Sequence, residues 1–274
     1  MADRAMADAD AGFVEAVINY IDPAAPIGGI NDVEREKSTF TLVPHRVRIF
    51  DARPLRPQVG LETTGFVWLE RPTAVTDFTD PAQVTDVYLP ESAALVRELT
   101  GADKVLVFGQ VQRDGALKAS PHRPVYNAHV DYNEDTIRAV ARRLLSPEEF
   151  EQRRSNRILL VNVWRPIELV ESAPLALCDA ASVAREDLVF GPIGGKSAAG
   201  VPEAAGWNLA HNPNHRWLYL PRMQPEEVLV FKLCDTDRNR VQWTAHSAFD
   251  DPSSPPNAAP RRSIELRTLA FLPD

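Results

Sequence analysis

His129 and Asp131 stand two residues apart, and His246 follows far downstream. In an extended strand, residues two apart project to the same face. An imidazole and a carboxylate on one face, joined by an imidazole from a distant strand, make a 2-His-1-carboxylate triad. Such a triad occupies one side of a metal and leaves positions open, the arrangement that suits Fe(II) and dioxygen. No thiolate lies near these residues, which argues against a structural zinc site. Beyond His246 come Arg261, Arg262 and Ser263. Arg261 and Ser263 share a strand face, and a guanidinium fork beside a hydroxyl matches a carboxylate. The distal carboxylate of 2-oxoglutarate, whose keto-acid end chelates iron, is the group they would take. Arg262 is read as a solvated charge.

Other residues extend this pattern or stand apart from it. Asn162 and Trp164 share a face of the apolar run 158–164 (ILLVNVW), where they would line the pocket or touch the cosubstrate. Trp164 fits a core position equally well. Arg165 is assigned to a substrate or cosubstrate carboxylate, its alternative being an ion pair with an acid such as Asp179. Tyr126 reads as core or pocket wall. His211 and His215 are four apart, but Pro213 between them argues against a helical metal pair, so they read as loop histidines, with substrate contact as the alternative. His45 and His122 have no spacing partner. Asp235 and Asp237 read as a polar strand end, and Lys232 as an exposed strand residue, its alternative being a reach to a carboxylate.

A metal held this way needs strands to carry it. Residues 13–20, 47–51, 104–112, 125–132, 158–164, 217–220, 227–233, 242–246 and 264–271 carry the apolar or β-branched content of strands. Residues 92–99 repeat apolar positions at helical spacing and stop at Gly101. Residues 134–145 and 147–154 also read as helical, with an Arg-rich solvated face. Asp22–Gly29 and 250–260 are Pro-rich connections, and the glycines of 193–214 predict a mobile loop, a lid over the pocket. The expected architecture is mainly β with flanking helices, a double-stranded β-helix (jelly-roll, cupin-like) barrel. It forms one domain over 1–274: a tail at 1–10, a front section at about 13–120, and a metal-binding core at about 121–274.

Composition narrows the partners. The 274 residues carry a net charge of −8, which excludes a nucleic-acid surface built on Lys and Arg. No apolar run reaches the roughly 18 residues of a membrane span, and the first ten residues lack a signal peptide's basic and apolar regions. Cys178 and Cys234 are far apart and read as two reduced thiols of a cytoplasmic protein. The partner expected is a small-molecule substrate, and the assembly considered is a homodimer.

Four segments resemble a known family: His129-Val130-Asp131, Asn162-Val163-Trp164-Arg165-Pro166, Pro174-Leu175-Ala176-Leu177-Cys178-Asp179, and Arg261-Arg262-Ser263-Ile264-Glu265-Leu266-Arg267. The chain is similar, from about Asn19 onward, to the family of the bacterial cephamycin methoxylation component and the fungal gibberellin desaturase and hydroxylase/desaturase proteins. The resemblance implies a double-stranded β-helix and Fe(II)/2-oxoglutarate-dependent oxidation of a small secondary metabolite or amino-acid-derived molecule by O2. It departs at Tyr132 and Asn133, which bear on the substrate pocket. An iron oxidase using O2 without 2-oxoglutarate is the alternative in the same class. A non-catalytic cupin-like binding protein is the alternative in another, and a zinc hydrolase lacks a positioned general base.

Overall fold

The computed structural model describes residues 11–25, 40–117, 122–196 and 202–273. The expected tail at 1–10 and the later part of the 22–29 connection lie outside them. Strands β1 (Phe13–Ile21), β2 (Leu42–Asp51), β3 (Phe66–Glu70) and β4 (Lys104–Asp114) precede β5 (His129–Val130). Then come β6 (Ile158–Pro166), β7 (Leu175–Cys178), β8 (Leu188–Lys196), β9 (Pro202–Leu209), β10 (Trp217–Tyr219), β11 (Glu227–Asp235), β12 (His246–Ala248) and β13 (Arg262–Phe271). They form an eight-stranded sheet, ordered β1-β2-β10-β7-β12-β5-β9-β8, and a five-stranded sheet, ordered β3-β11-β6-β13-β4. This is the expected jelly-roll. The strands before residue 121 are members of both sheets.

The sheets face one another across a core that holds Leu177 and Leu218 from one side and Leu160, Trp164, Leu229, Phe231 and Leu269 from the other. Alternation along each strand sends the next residues outward. Val161, Val163, Val228, Val230, Ile264 and Leu266 therefore pack beneath helix α1 (Leu89–Thr100), against Leu95 and Val96. All nine residues of β6 are buried for this reason. A strand covered on both faces reads as an unbroken apolar run. Helix α1 carries Pro90 in its first turn and ends at Gly101, whose φ of 73° is the left-handed conformation glycine adopts without strain.

On the outer face of the large sheet a third core gathers Ile18, Tyr20, Ile49, Val130, Ala176, Cys178 and Trp217. Strand β1 closes it by two parallel bridges, Asn19 with Asn127 and Ile21 with Ala210. The Asn19 carbonyl accepts from Ala128 N–H at 2.8 Å, so the first strand steadies the segment that carries His129. Helices α2 (Glu134–Leu144) and α3 (Pro147–Gln152) follow β5 directly. Asn133 caps α2, its side chain accepting from Thr136 N–H at 2.9 Å.

Several expectations are corrected. The strand expected over 125–132 is only His129–Val130, because Asn127 makes a single bridge and the chain turns at Asp131 into the α2 cap. The strand expected to end at His246 begins there. The Gly-rich stretch read as a mobile loop contains an antiparallel hairpin of β8 and β9, with residues 197–201 outside the described set. Lys232 is fully buried, its Nζ donating to Asp235 Oδ2 and the Val241 carbonyl, each at 2.9 Å. Asp235 is buried beside it and paired with Arg157. A charge on a strand covered on both faces has no route to water and must be paired.

Candidate metal centre

Strand β12 pairs with β5 at one register position, His246 opposite His129. That pairing places the two imidazoles on one inward face, with ring centroids 4.3 Å apart. Each ring is oriented the same way: Nδ1–H of His129 donates to the Asn127 carbonyl at 2.7 Å, and Nδ1–H of His246 to the Thr244 carbonyl at 3.2 Å. Both Nε2 atoms therefore face Asp131, at 3.4 Å from Oδ1 and 3.8 Å from Oδ2. The donor atoms of His129, Asp131 and His246 all lie within 4.8 Å of one another. In the neutral tautomer these are three electron-pair donors aimed at one point, which a cation between them would satisfy.

Electrostatics keeps the set ready for a metal. Burial, reinforced by His129, pushes His246 down to about 4, so its imidazole is neutral at physiological pH. Burial alone would raise the Asp131 carboxyl, but its neighbours His129, 3.4 Å away, and the charged Arg267 hold it far below the usual carboxylate range. A neutral imidazole and an ionised carboxylate are the forms that bind metal. Phe231 packs its ring 4.9 Å from that of His246.

The facing wall comes from β6 and β13. Register pairs Trp164 with Glu265, and Asn162 with Arg267 and Phe231, so these side chains share the inward face. Asn162 and Ser263 are fully buried, yet neither amide atom of Asn162 nor Ser263 Oγ has a hydrogen-bond partner. Arg261, 2% exposed, donates from Nη1 to the Ala173 carbonyl at 2.5 Å and lies over the Trp164 ring, while its Nε is unpartnered. Burial, then the nearby Arg113, lowers the Arg261 guanidinium to about 9. An unmet buried polar group costs about 1–3 kcal/mol, and three such side chains on one wall mark a place for a polar ligand.

Arg165 is not part of this wall. Being one residue from Trp164, it points to the opposite face, where it donates to the Pro225 and Arg71 carbonyls at 2.6 Å and lies over Tyr88. It fastens two loops under α1, and Asp179, its alternative partner, pairs instead with Arg216. Tyr132 lines a cavity of about 530 Å³ with Cys234, Arg185, Trp207, Gln242 and Trp243. This cavity opens next to both ligand-bearing segments. Both cysteines are free, and burial pushes each thiol to about 12.

His45, His211 and His215 sit on the other side of the large sheet, while His122 hydrogen-bonds the Gln112 carbonyl of β4. His45 is not alone: it stacks on His211 at 3.8 Å, with Tyr20 edge-on to both. His215 Nε2 hydrogen-bonds Asp187 at 3.1 Å. Burial lowers both His211 and His215, with Asp187 opposing the shift. Lowered values in the fold mean that the unfolded chain binds more protons below about pH 6.5. Their contribution to stability is complete above that pH and is lost as pH falls through the folded values. A melting curve at each pH from 7.5 to 5 is expected to show this fall, and His215→Gln to make it shallower. A slope unchanged by the variant would contradict the assignment.

Fold and site together define a jelly-roll protein in which buried His129, Asp131 and His246 could hold a metal ion. The family model described as "YDMC: Oxidoreductase/YMDC permease-like domain" matches residues 18–271. No helix among the described residues is long and apolar enough to cross a membrane. The alpha-ketoglutarate-dependent dioxygenase phiK of a fungal species is 31% identical over 96% of this chain and 97% of its own length. The hydroxylase/desaturase efuI of Hormonema carpetanum is 29% identical over 95% and 96%. The solved iron and alpha-ketoglutarate-dependent endoperoxidase NvfI superposes with a TM-score of 0.84 at 28% identity, covering 96% of this chain and 99% of that one. The chain belongs to this family of Fe(II)/2-oxoglutarate-dependent dioxygenases and hydroxylase/desaturases, enzymes that use iron, 2-oxoglutarate and O2.

Some site residues escaped the sequence reading. Glu265 and Arg267 continue the period of two that begins at Arg261 and Ser263, a signal the sequence did contain. Phe231 and Thr244 have no such signature, because their roles come from strands that meet only in the fold.

Proposed function

We propose that His129, Asp131 and His246 hold Fe(II), and that Arg261 and Ser263 bind the distal carboxylate of 2-oxoglutarate, with Asn162 and Trp164 beside it. The observation that supports this reading is the set of unpartnered buried polar atoms on Asn162, Arg261 and Ser263, on the inner wall facing a metal-competent triad. When bound, iron supplies O2 activation coupled to decarboxylation of 2-oxoglutarate, and with it the oxidation of a small organic substrate. The chain's own residues orient and insulate. The two carbonyl acceptors fix the histidine tautomers, Arg261 aligns the cosubstrate, and Phe231 and Trp164 keep water out. Hydroxylation, desaturation and ring closure begin alike, with removal of a substrate hydrogen. The unit is the whole chain, in the cytoplasm, where free cysteines are the rule; the assembly is a homodimer, checked by light scattering.

The test is anaerobic titration of metal-free protein with Fe(II), then 2-oxoglutarate, followed by visible absorption. A weak charge-transfer band needing both components is expected, absent in His246→Ala. Losing one charged hydrogen-bonding partner costs about 1.5–3 kcal/mol. Arg261→Ala should therefore raise the Kd for 2-oxoglutarate about tenfold to a hundredfold. Iron binding without the band would indicate an oxidase that needs no 2-oxoglutarate, and no iron binding would indicate a binding protein.

A further inference from the structure

The cavity beside Tyr132 has a composition that specifies its occupant. The Arg185 guanidinium carbon lies 5.7 Å from the ring centroids of both Trp207 and Trp243. Trp207 meets Phe190 edge-on at 5.8 Å, and Phe190 is 46% exposed, so the aromatic wall continues outward along β8. Among the described residues, no acid pairs with Arg185. Three nearby acids are engaged elsewhere. Asp187, in its own turn, accepts from Asn212 and hydrogen-bonds His215. Glu134, at the cavity edge, pairs with Arg238 at 2.7 Å, and Asp235 pairs with Arg157 and Lys232.

We propose that this cavity binds the organic substrate, that the substrate is a flat unsaturated or aromatic molecule bearing an anionic group, and that Arg185 is the residue that selects the anion. The proposal rests on the reading of the triad as the reaction centre, since Tyr132 adjoins Asp131 and Trp243 lies on the segment leading to His246. The indole faces offer stacking surfaces to a planar body. Arg185 is exposed, and its contacts with two rings orient the guanidinium while leaving it open to an anion. A volume of about 530 Å³ fits a molecule of a few fused rings.

The experiment uses metal-free, cosubstrate-free full-length protein, so its outcome is independent of the iron titration above. Quenching of tryptophan fluorescence is measured with 2-naphthoate and with 2-naphthamide, which share a ring system and differ in charge. Naphthoate is expected to bind about tenfold more tightly, equivalent to about 1.4 kcal/mol. Arg185→Gln should bring naphthoate to the affinity of naphthamide and leave naphthamide unchanged. Arg238→Gln and Arg261→Ala should each retain the preference. Equal affinities in the unmodified protein, no quenching by either probe, a preference that survives Arg185→Gln, or one lost in the other two variants would each overturn the proposal.

Discussion

Replacing Asp131 by asparagine is expected to abolish turnover while leaving the metal-free protein folded. The variant keeps the side-chain volume and removes the only anionic donor of the triad, leaving two neutral imidazoles. A buried carboxylate contributes little to stability unless its charge is met. In the metal-free protein that charge is met, by the histidines and Arg267, which hold the carboxyl ionised despite its burial. Its loss should therefore lower the melting temperature of the metal-free form, a fall measured apart from the effect of the metal. The metal-bound form is different. A ligand present at 100 times its Kd stabilises the fold by about 2.7 kcal/mol, about 5–10 °C for a chain of this size. Differential scanning fluorimetry under anaerobic Fe(II) should show that rise in the unmodified protein and none in Asp131→Asn. An iron-dependent rise that persists in the variant would remove Asp131 from the ligand set.

Gly206→Ala is expected to damage both the fold and the site, although Gly206 binds nothing. A Cβ at this position would stand 2.1 Å from the Val130 carbonyl oxygen, and 2.7 and 2.8 Å from the carbonyl carbon and oxygen of Asp131. These are backbone atoms and cannot rotate aside, so β9 must withdraw from the segment carrying two of the three ligands. Overpacking of this kind costs about 1–3 kcal/mol or more. The midpoint should fall by about 2–4 °C for each kcal/mol, and the iron affinity should fall with it. Gly12→Ala is the control, since nothing lies within 4 Å of its added methyl. A Gly206→Ala protein with unchanged midpoint and iron affinity would show that the close approach is not needed.

The two effects differ in how visible they are from the sequence. The triad could be read there because strand geometry turns a spacing of two into a shared face, and because Arg261 and Ser263 repeat the same parity. Arg165 was misassigned against that very rule: if Asn162 and Trp164 face inward, their neighbour faces outward. Gly206 was hidden for another reason. Glycine-rich composition suggested a loop, whereas Gly206 answers to the Val130 carbonyl across a strand pairing that composition does not encode. Lys232 was read as exposed because charge usually signals solvent, yet β11 is covered on both faces and its lysine is neutralised inside. The cluster of Arg185, Trp207 and Trp243 comes from three separate segments, and no local pattern joins them.

The strand order also governs when this enzyme can exist during its synthesis. The last two strands of the described residues do not sit at the margins: β12 lies between β7 and β5, and β13 between β6 and β4. A ribosome delivers them after every neighbour they must join. Until then β6 and β4 expose unpaired edges, and His129 faces no second imidazole. Such edges invite pairing between nascent chains, and the many long-range contacts make completion slow. The proposed metal site is therefore incomplete until β12 has emerged, and chains truncated before β13 are left as substrates for chaperones and proteases.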